Sequence, residues 1–164
     1  MSQPFMRQAI TRTIGRVRWI VDAMNVIGTL PDCWWKDRRG AMVRLVDKLE
    51  RWASTEGNDV TVVFERPPSP PIRSSVIAIA YAPRAFPDSA DDEIVRLVQA
   101  DPEPQEICVV TSDSALTDRV QEVGALAYSA ARFRKHIDSI DQDRTLSRST
   151  EDTVPEELQH RLMR

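Results

Sequence analysis

Five acidic residues stand where side chains could do chemistry together. Asp22 follows the apolar run Val17–Val21, Glu65 follows Val60–Phe64, and Asp113 follows Ile107–Val110 after the pair Thr111-Ser112. Asp91 and Asp92 come just after Ser89, at the start of an amphipathic stretch. Carboxylates brought to one place repel one another and raise one another's pKa values. A divalent cation offsets that repulsion, and hard oxygen donors select Mg²⁺ or Mn²⁺ over softer metals. Such an ion activates water and stabilises a leaving oxygen in phosphodiester cleavage. Asn25, three residues after Asp22, is placed to orient Asp22 or to hold a metal-bound water.

Each of these residues also has a plainer role. An Asp at a strand end or helix start often only caps or turns the chain. For Asp22 and Asp113 together, catalysis outweighs capping, because ligands of open parallel sheets sit beyond the carboxyl ends of the strands. Asp91 and Asp92 are neighbours and point in different directions on a helix, so one faces the metal and the other is a solvated first-turn acid. Glu65 is balanced between the two roles, as a supporting acid or a turn residue. Ser112 is expected to orient Asp113 by hydrogen bonding. His136 and His160 do not form a nucleophilic triad and read as surface residues. There is no G-x-x-x-x-G-K and no G-x-G-x-x-G, and only five glycines occur, so a nucleotide cradle is unsupported.

The elements that must position these acids alternate. The apolar spacing predicts strands at Val17–Val21, Val60–Phe64, Val76–Tyr81, Ile107–Val110 and Ala125–Tyr128. The third, nearly all apolar, reads as buried on both faces. Residues 23–28 read as a loop. Met42, Leu45, Val46, Leu49, Trp52 and Ala53 recur at three and four along a helix from Asp37 to about Thr55. Further helices are predicted from an N-cap at Ser89, from Ser114 to Val123, and from Ala130 to about Ile137. Strands alternating with helices give an α/β fold with a mainly parallel central sheet flanked by helices on both faces. The organisation expected is a basic arm at 1–16, one domain at 17–140, and a polar, disordered tail at 141–164 whose hydrophobic period has lapsed.

Composition narrows the partners. A chain of 164 residues suits one domain with a real core. A net charge of −3 predicts no global attraction to nucleic acid, so an RNA site must come from local basic clusters. Arg38, Arg39 and Arg44, with Trp34 and Trp35 just before them, would suit a single-stranded backbone with stacked bases. The alternative for these residues is a staple tryptophan and solvated arginines. Arg132, Arg134 and Lys135 make a second patch. Cys33 and Cys108 lie in no C-x-x-C or Cys/His cluster, which argues against zinc and fits a reducing cytoplasm. No signal peptide or membrane anchor is expected, since no run nears the ~20 apolar residues of a span.

The motifs resemble a known family. Trp19–Gly28 (WIVDAMNVIG) is similar to the "VDGYNVIG" opening of NYN domains, in particular the YacP-like group of the PIN-like nuclease superfamily. Val62-Val63-Phe64-Glu65 resembles its "VVFD", Ser89–Ile94 its "ADxxI", Val109–Asp113 its "VTSD", and Gly124-Ala125 its "GA". These elements keep their order and spacing from about Val17 to Ile137. The resemblance implies a three-layer PIN-like fold and Mg²⁺- or Mn²⁺-dependent endoribonuclease activity. It carries Asp22, Asp91 and Asp113 over as metal-binding catalytic acids, with Asn25 beside them. Ala23 and Met24 replace the family's Gly-Tyr pair, and Glu65 replaces its Asp. The partner implied is RNA, and mRNA on the ribosome is one setting for it. A non-catalytic RNA- or ribosome-binding module of the same fold is the competing reading, against which the three retained acids weigh. A phosphatase on a similar sheet is disfavoured, because Asp22-Ala23-Met24-Asn25 lacks the second Asp of a D-x-D nucleophile motif.

Overall fold

The structure is a computed structural model that describes residues 17–30, 32–83 and 89–151, with the backbone alone for 148–151. Five parallel strands form one sheet: β1 (Arg18–Asp22), β2 (Asp59–Phe64), β3 (Ala78–Tyr81), β4 (Ile107–Val110) and β5 (Leu126–Tyr128). Their order is β3-β2-β1-β4-β5, so β1 is central and the chain reverses direction across the sheet on either side of it. Among the described residues five α-helices accompany them: α1 (Ala23–Ile27), α2 (Arg38–Glu56), α3 (Ser89–Ala100), α4 (Ser114–Val123) and α5 (Ala130–Glu151).

The two-residue alternation of the strands separates two cores. Val21, Val60, Val62, Phe64 and Val110 face α1, α2 and α5, whereas Ile20, Val63, Ile107 and Val109 face α3 and α4. Both faces of the central strands are therefore covered, which explains their near-continuous apolar runs. On the α2 side the core is aromatic. Trp52 lies edge-on to Trp19 at 5.2 Å and to Phe133 at 5.0 Å. The helix punctuation is local. Asp37 caps α2 by accepting from the Gly40 amide, and Gly57 ends α2 in the left-handed region that suits glycine.

Four elements differ from the sequence expectation. Residues 23–27 form the short helix α1, because Ala23, Val26 and Ile27 all turn into the core at helical spacing. The third strand starts at Ala78, not Val76. The Ser74 hydroxyl accepts from the amides of Val76 and Ile77 and holds them in a turn, out of the ladder. That strand is at the sheet edge and only half covered, not buried on both faces. Ser89 is the first helical residue rather than a cap, and its hydroxyl reaches the Glu65 carbonyl at 3.5 Å.

The fourth difference is the last helix, which continues past Ile137 to Glu151, so the tail expected to be disordered from 141 is helical to that point. Only the portion through Ile140 packs on the core, so only there is a hydrophobic period needed. Beyond it, a nucleated helix gains a backbone hydrogen bond for each residue added. Asp141 anchors this polar extension to α2 by accepting from Arg51 at 2.9 and 3.1 Å. The expected basic arm, His160 and the rest of the tail lie outside the described residues.

Candidate functional site

The carboxyl ends of β1 and β4 meet at the middle of the sheet, where the strand order reverses. Asp22 is the last residue of β1 and is only 3 % exposed. Its Oδ2 accepts two hydrogen bonds, from Asn25 Nδ2 at 2.7 Å and from Thr111 Oγ1 at 3.0 Å. Burial raises the Asp22 carboxyl from 3.8 to about 6. The hydrogen bonds from Thr111 and Asn25 oppose that rise, and the charge of Asp113 adds to it. A buried acid at the switch point of a parallel sheet, its pKa raised by burial, is a candidate functional group rather than a surface turn residue.

The partners of Asp22 are themselves tied down. Asn25 Oδ1 accepts from the Ser112 amide at 3.2 Å, and Thr111 Oγ1 accepts from the Asp113 amide at 3.1 Å. Asp22, Asn25, Thr111, Ser112 and Asp113 thus form one hydrogen-bonded unit joining β1 to β4. Thr111 is the residue that sequence reasoning missed. It is buried, and its position at the end of β4 is the only sequence signal that could have marked it. Ser112 does not orient Asp113 as expected. Its hydroxyl accepts from the Ala130 amide at 3.1 Å and holds the start of α5, while Thr111 takes the expected role.

The other acids are placed differently. Asp113 uses Oδ1 to cap α4, accepting from the Leu116 amide at 3.0 Å, so the capping role is real here alongside its proximity to Asp22. Asp91 is half-buried in the first turn of α3. Asp92 is exposed and pairs with Arg119 of α4 at 3.0 Å. Glu65 is exposed beyond β2 and lines a pocket of about 210 Å³ with Met24, Arg38, Met42, Phe64 and Arg66. A larger cavity of about 310 Å³ lies at the opposite, amino edge of the sheet, where Val17, Trp19 and Leu126 line it, away from Asp22.

Of the basic and aromatic candidates, Arg38 shares a pocket with Met24, two residues beyond Asp22. Arg38 lies over the Trp34 ring at 5.3 Å, and Trp34 packs against the core as a staple would. Trp35 is 56 % exposed. Arg39 donates to the Pro70 carbonyl at 3.2 Å and so fastens the proline-rich loop. Arg44 is exposed on α2.

The donor set is chemically suited to a hard divalent ion, which takes one or two carboxylates and keeps several waters. Asp22 and Asp113 supply two. Among the described residues, however, no three His, Cys, Asp or Glu side chains stand together as a metal-holding cluster.

A five-stranded parallel sheet of order 3-2-1-4-5, with a buried acid at the end of its central strand, defines a PIN-like α/β protein. Comparison with known proteins agrees. The chain belongs to the family of YacP-like NYN domains, whose model matches residues 19–164, so the match extends through the tail as well as the domain. This membership makes the protein nuclease-like and RNA-related. The chain is similar to the crystal structure of Rae1 (YacP) from Bacillus subtilis, at 26% identity and a TM-score of 0.65, covering 82% of this chain and 83% of that one. A mutant form of the same protein aligns at 26% identity and a TM-score of 0.67, covering 84% and 86%. No curated protein sequence matches the chain. No helix among the described residues is long and apolar enough to cross a membrane.

Proposed function

We propose that the protein is a divalent-metal-dependent endoribonuclease. The observation that carries this reading is Asp22, buried at the end of the central strand and locked by Thr111 and Asn25, with Asp113 beside it. Asp22 and Asp113 would hold Mg²⁺ or Mn²⁺, with Asp91 as the third acid. Such an ion, when bound, supplies a water made nucleophilic at neutral pH and positive charge for the leaving oxygen.

The protein's own groups set the geometry. Thr111 and Asn25 donate to Oδ2 of Asp22 and fix the plane of the carboxylate that would hold the ion. Asn25 also ties α1 to the end of β4 through Ser112, so the two acids move as one body. A rigid constellation of this kind holds a reactive water and a phosphodiester in line. RNA would reach the edge past the exposed Trp35 and the guanidinium groups of Arg38 and Arg44. The RNA reading is compatible with mRNA held on the ribosome and with a cytoplasmic setting.

Purified protein should cut single-stranded RNA with Mn²⁺ and lose the activity in EDTA. Asp22→Asn should slow cleavage by roughly a thousandfold or more, because it removes the charge that holds the ion. Asp92→Asn should cost far less, since Asp92 faces Arg119. One observation favours a second reading, a non-catalytic RNA-binding module: one Asp113 oxygen, Oδ1, is engaged in the α4 cap. Wild-type protein that binds RNA but never cuts it with either metal would establish that reading instead.

A further inference from the structure

We infer that the pocket beside Asp22 is a base-specific subsite that selects guanine in a single-stranded RNA, with Glu65 reading the base and Arg38 and Arg66 holding its phosphates. The inference rests on the proposal that the partner is RNA, and it deepens that reading by naming the base. The pocket adjoins the acid site through two independent anchors. Met24 lies two residues after Asp22, and Phe64 follows Val63, which is the register partner of Asp22 in the sheet. A base seated there brings its own phosphodiester to the Asp22 edge.

The lining divides into a floor and a rim. Met24, Met42 and Phe64 belong to the core on the α2 side and present flat, polarisable surface, which suits the π-face of a base. The volume, about 210 Å³, leaves room for a single base. The rim carries Arg38, Glu65 and Arg66. Among the described residues, neither Arg66 nor the Glu65 carboxylate makes a hydrogen bond or ion pair, although they share one pocket. Two guanidiniums beside one carboxylate match a ligand with two negative phosphates and one positive-edged face.

The choice of base follows from donor geometry. Ionised Glu65 can only accept, through two oxygens side by side. Guanine alone offers two adjacent N–H donors on its Watson–Crick edge, N1–H and the exocyclic amine. Adenine and cytosine each set a ring-nitrogen acceptor next to their amine, and uracil flanks its single N–H with two carbonyls. A carboxylate facing those edges meets at least one acceptor, which repels it. Glu65 therefore rewards guanine and penalises the other three, and its extra methylene relative to Asp extends its reach over the pocket.

The test is binding of short uridine-rich RNAs that carry G, A, C or U at one central position, measured by fluorescence anisotropy in EDTA so that cleavage plays no part. Wild type should prefer the guanine strand by about tenfold, the discrimination of one good bidentate pair. Glu65→Gln, which replaces one acceptor with a donor, should bring the four strands to within about twofold of each other. Arg66→Ala should weaken all four alike and flatten the salt dependence without altering the base preference. Circular dichroism on each variant separates loss of fold from loss of recognition. Equal affinity for the four strands in wild type, or a guanine preference that survives Glu65→Gln, overturns the inference. Cleavage without base preference would overturn this subsite while leaving the ribonuclease, whereas guanine preference without cleavage would keep the subsite and remove the ribonuclease.

Discussion

Replacing Asp22 by Asn should make the metal-free protein more stable at neutral pH, not less. The Asp22 carboxyl is raised from 3.8 to about 6, chiefly by burial. A group whose pKa is higher folded than unfolded holds its proton more tightly in the folded state, so its contribution is full below pH 3.8 and is lost as pH rises through about 6. Each pH unit of displacement is worth about 1.4 kcal/mol, so the ionised carboxylate costs the fold about 3 kcal/mol at pH 7. By the same linkage the cost is about 0.5 kcal/mol at pH 4. Asn has the same shape and no charge, and its carbonyl can still accept from Thr111 and Asn25. Its amide hydrogens need acceptors that the carboxylate did not, which returns about 1 kcal/mol or more. The net gain at pH 7 is therefore about 1–2 kcal/mol, a rise in melting temperature of roughly 2 to 8 °C for a domain of this size. The assay is thermal and urea melting of both proteins in EDTA between pH 4 and 8, with the difference plotted against pH. A gain that grows between pH 4 and 7 and then levels is the expected curve. A variant that melts at or below wild type at pH 7, or a gain that is flat with pH, would refute a buried, destabilising charge at this position.

Thr111→Val should cost roughly 1–2 kcal/mol in urea melts, because it strands the Asp113 amide and leaves Asp22 Oδ2 with Asn25 as its one side-chain donor; an unchanged midpoint would show that water replaces the hydroxyl. The same variant should push the Asp22 titration higher still, which a pH series of melts reads directly. Truncation after Ile140 should lower stability by less than about 1 kcal/mol, since the described part of what it removes, 141–151, is a polar extension tied to α2 by the exposed Arg51–Asp141 pair, and loss of a cooperative transition would refute this.

Much of the molecule was legible in the sequence because its elements are locally consistent. Two-residue and three-to-four-residue apolar periods set the strands and helices before any contact is known. Gly57 and Gly124 end helices through their own left-handed backbones. The position of Asp22 at the end of an apolar strand pointed to the candidate site, since strand ends and ligand edges coincide in parallel sheets. What pattern cannot carry is which strand lies beside which. The order β3-β2-β1-β4-β5 puts an apolar strand at the edge and closes Thr111 onto Asp22 across 89 residues. The helix beyond Ile140 has no period to announce it, because a polar extension depends on the nucleated turns before it and on Arg51 of a different helix. The Asp113 cap is local, reaching Leu116 three residues on, whereas its closeness to Asp22 comes from the pairing of β1 with β4.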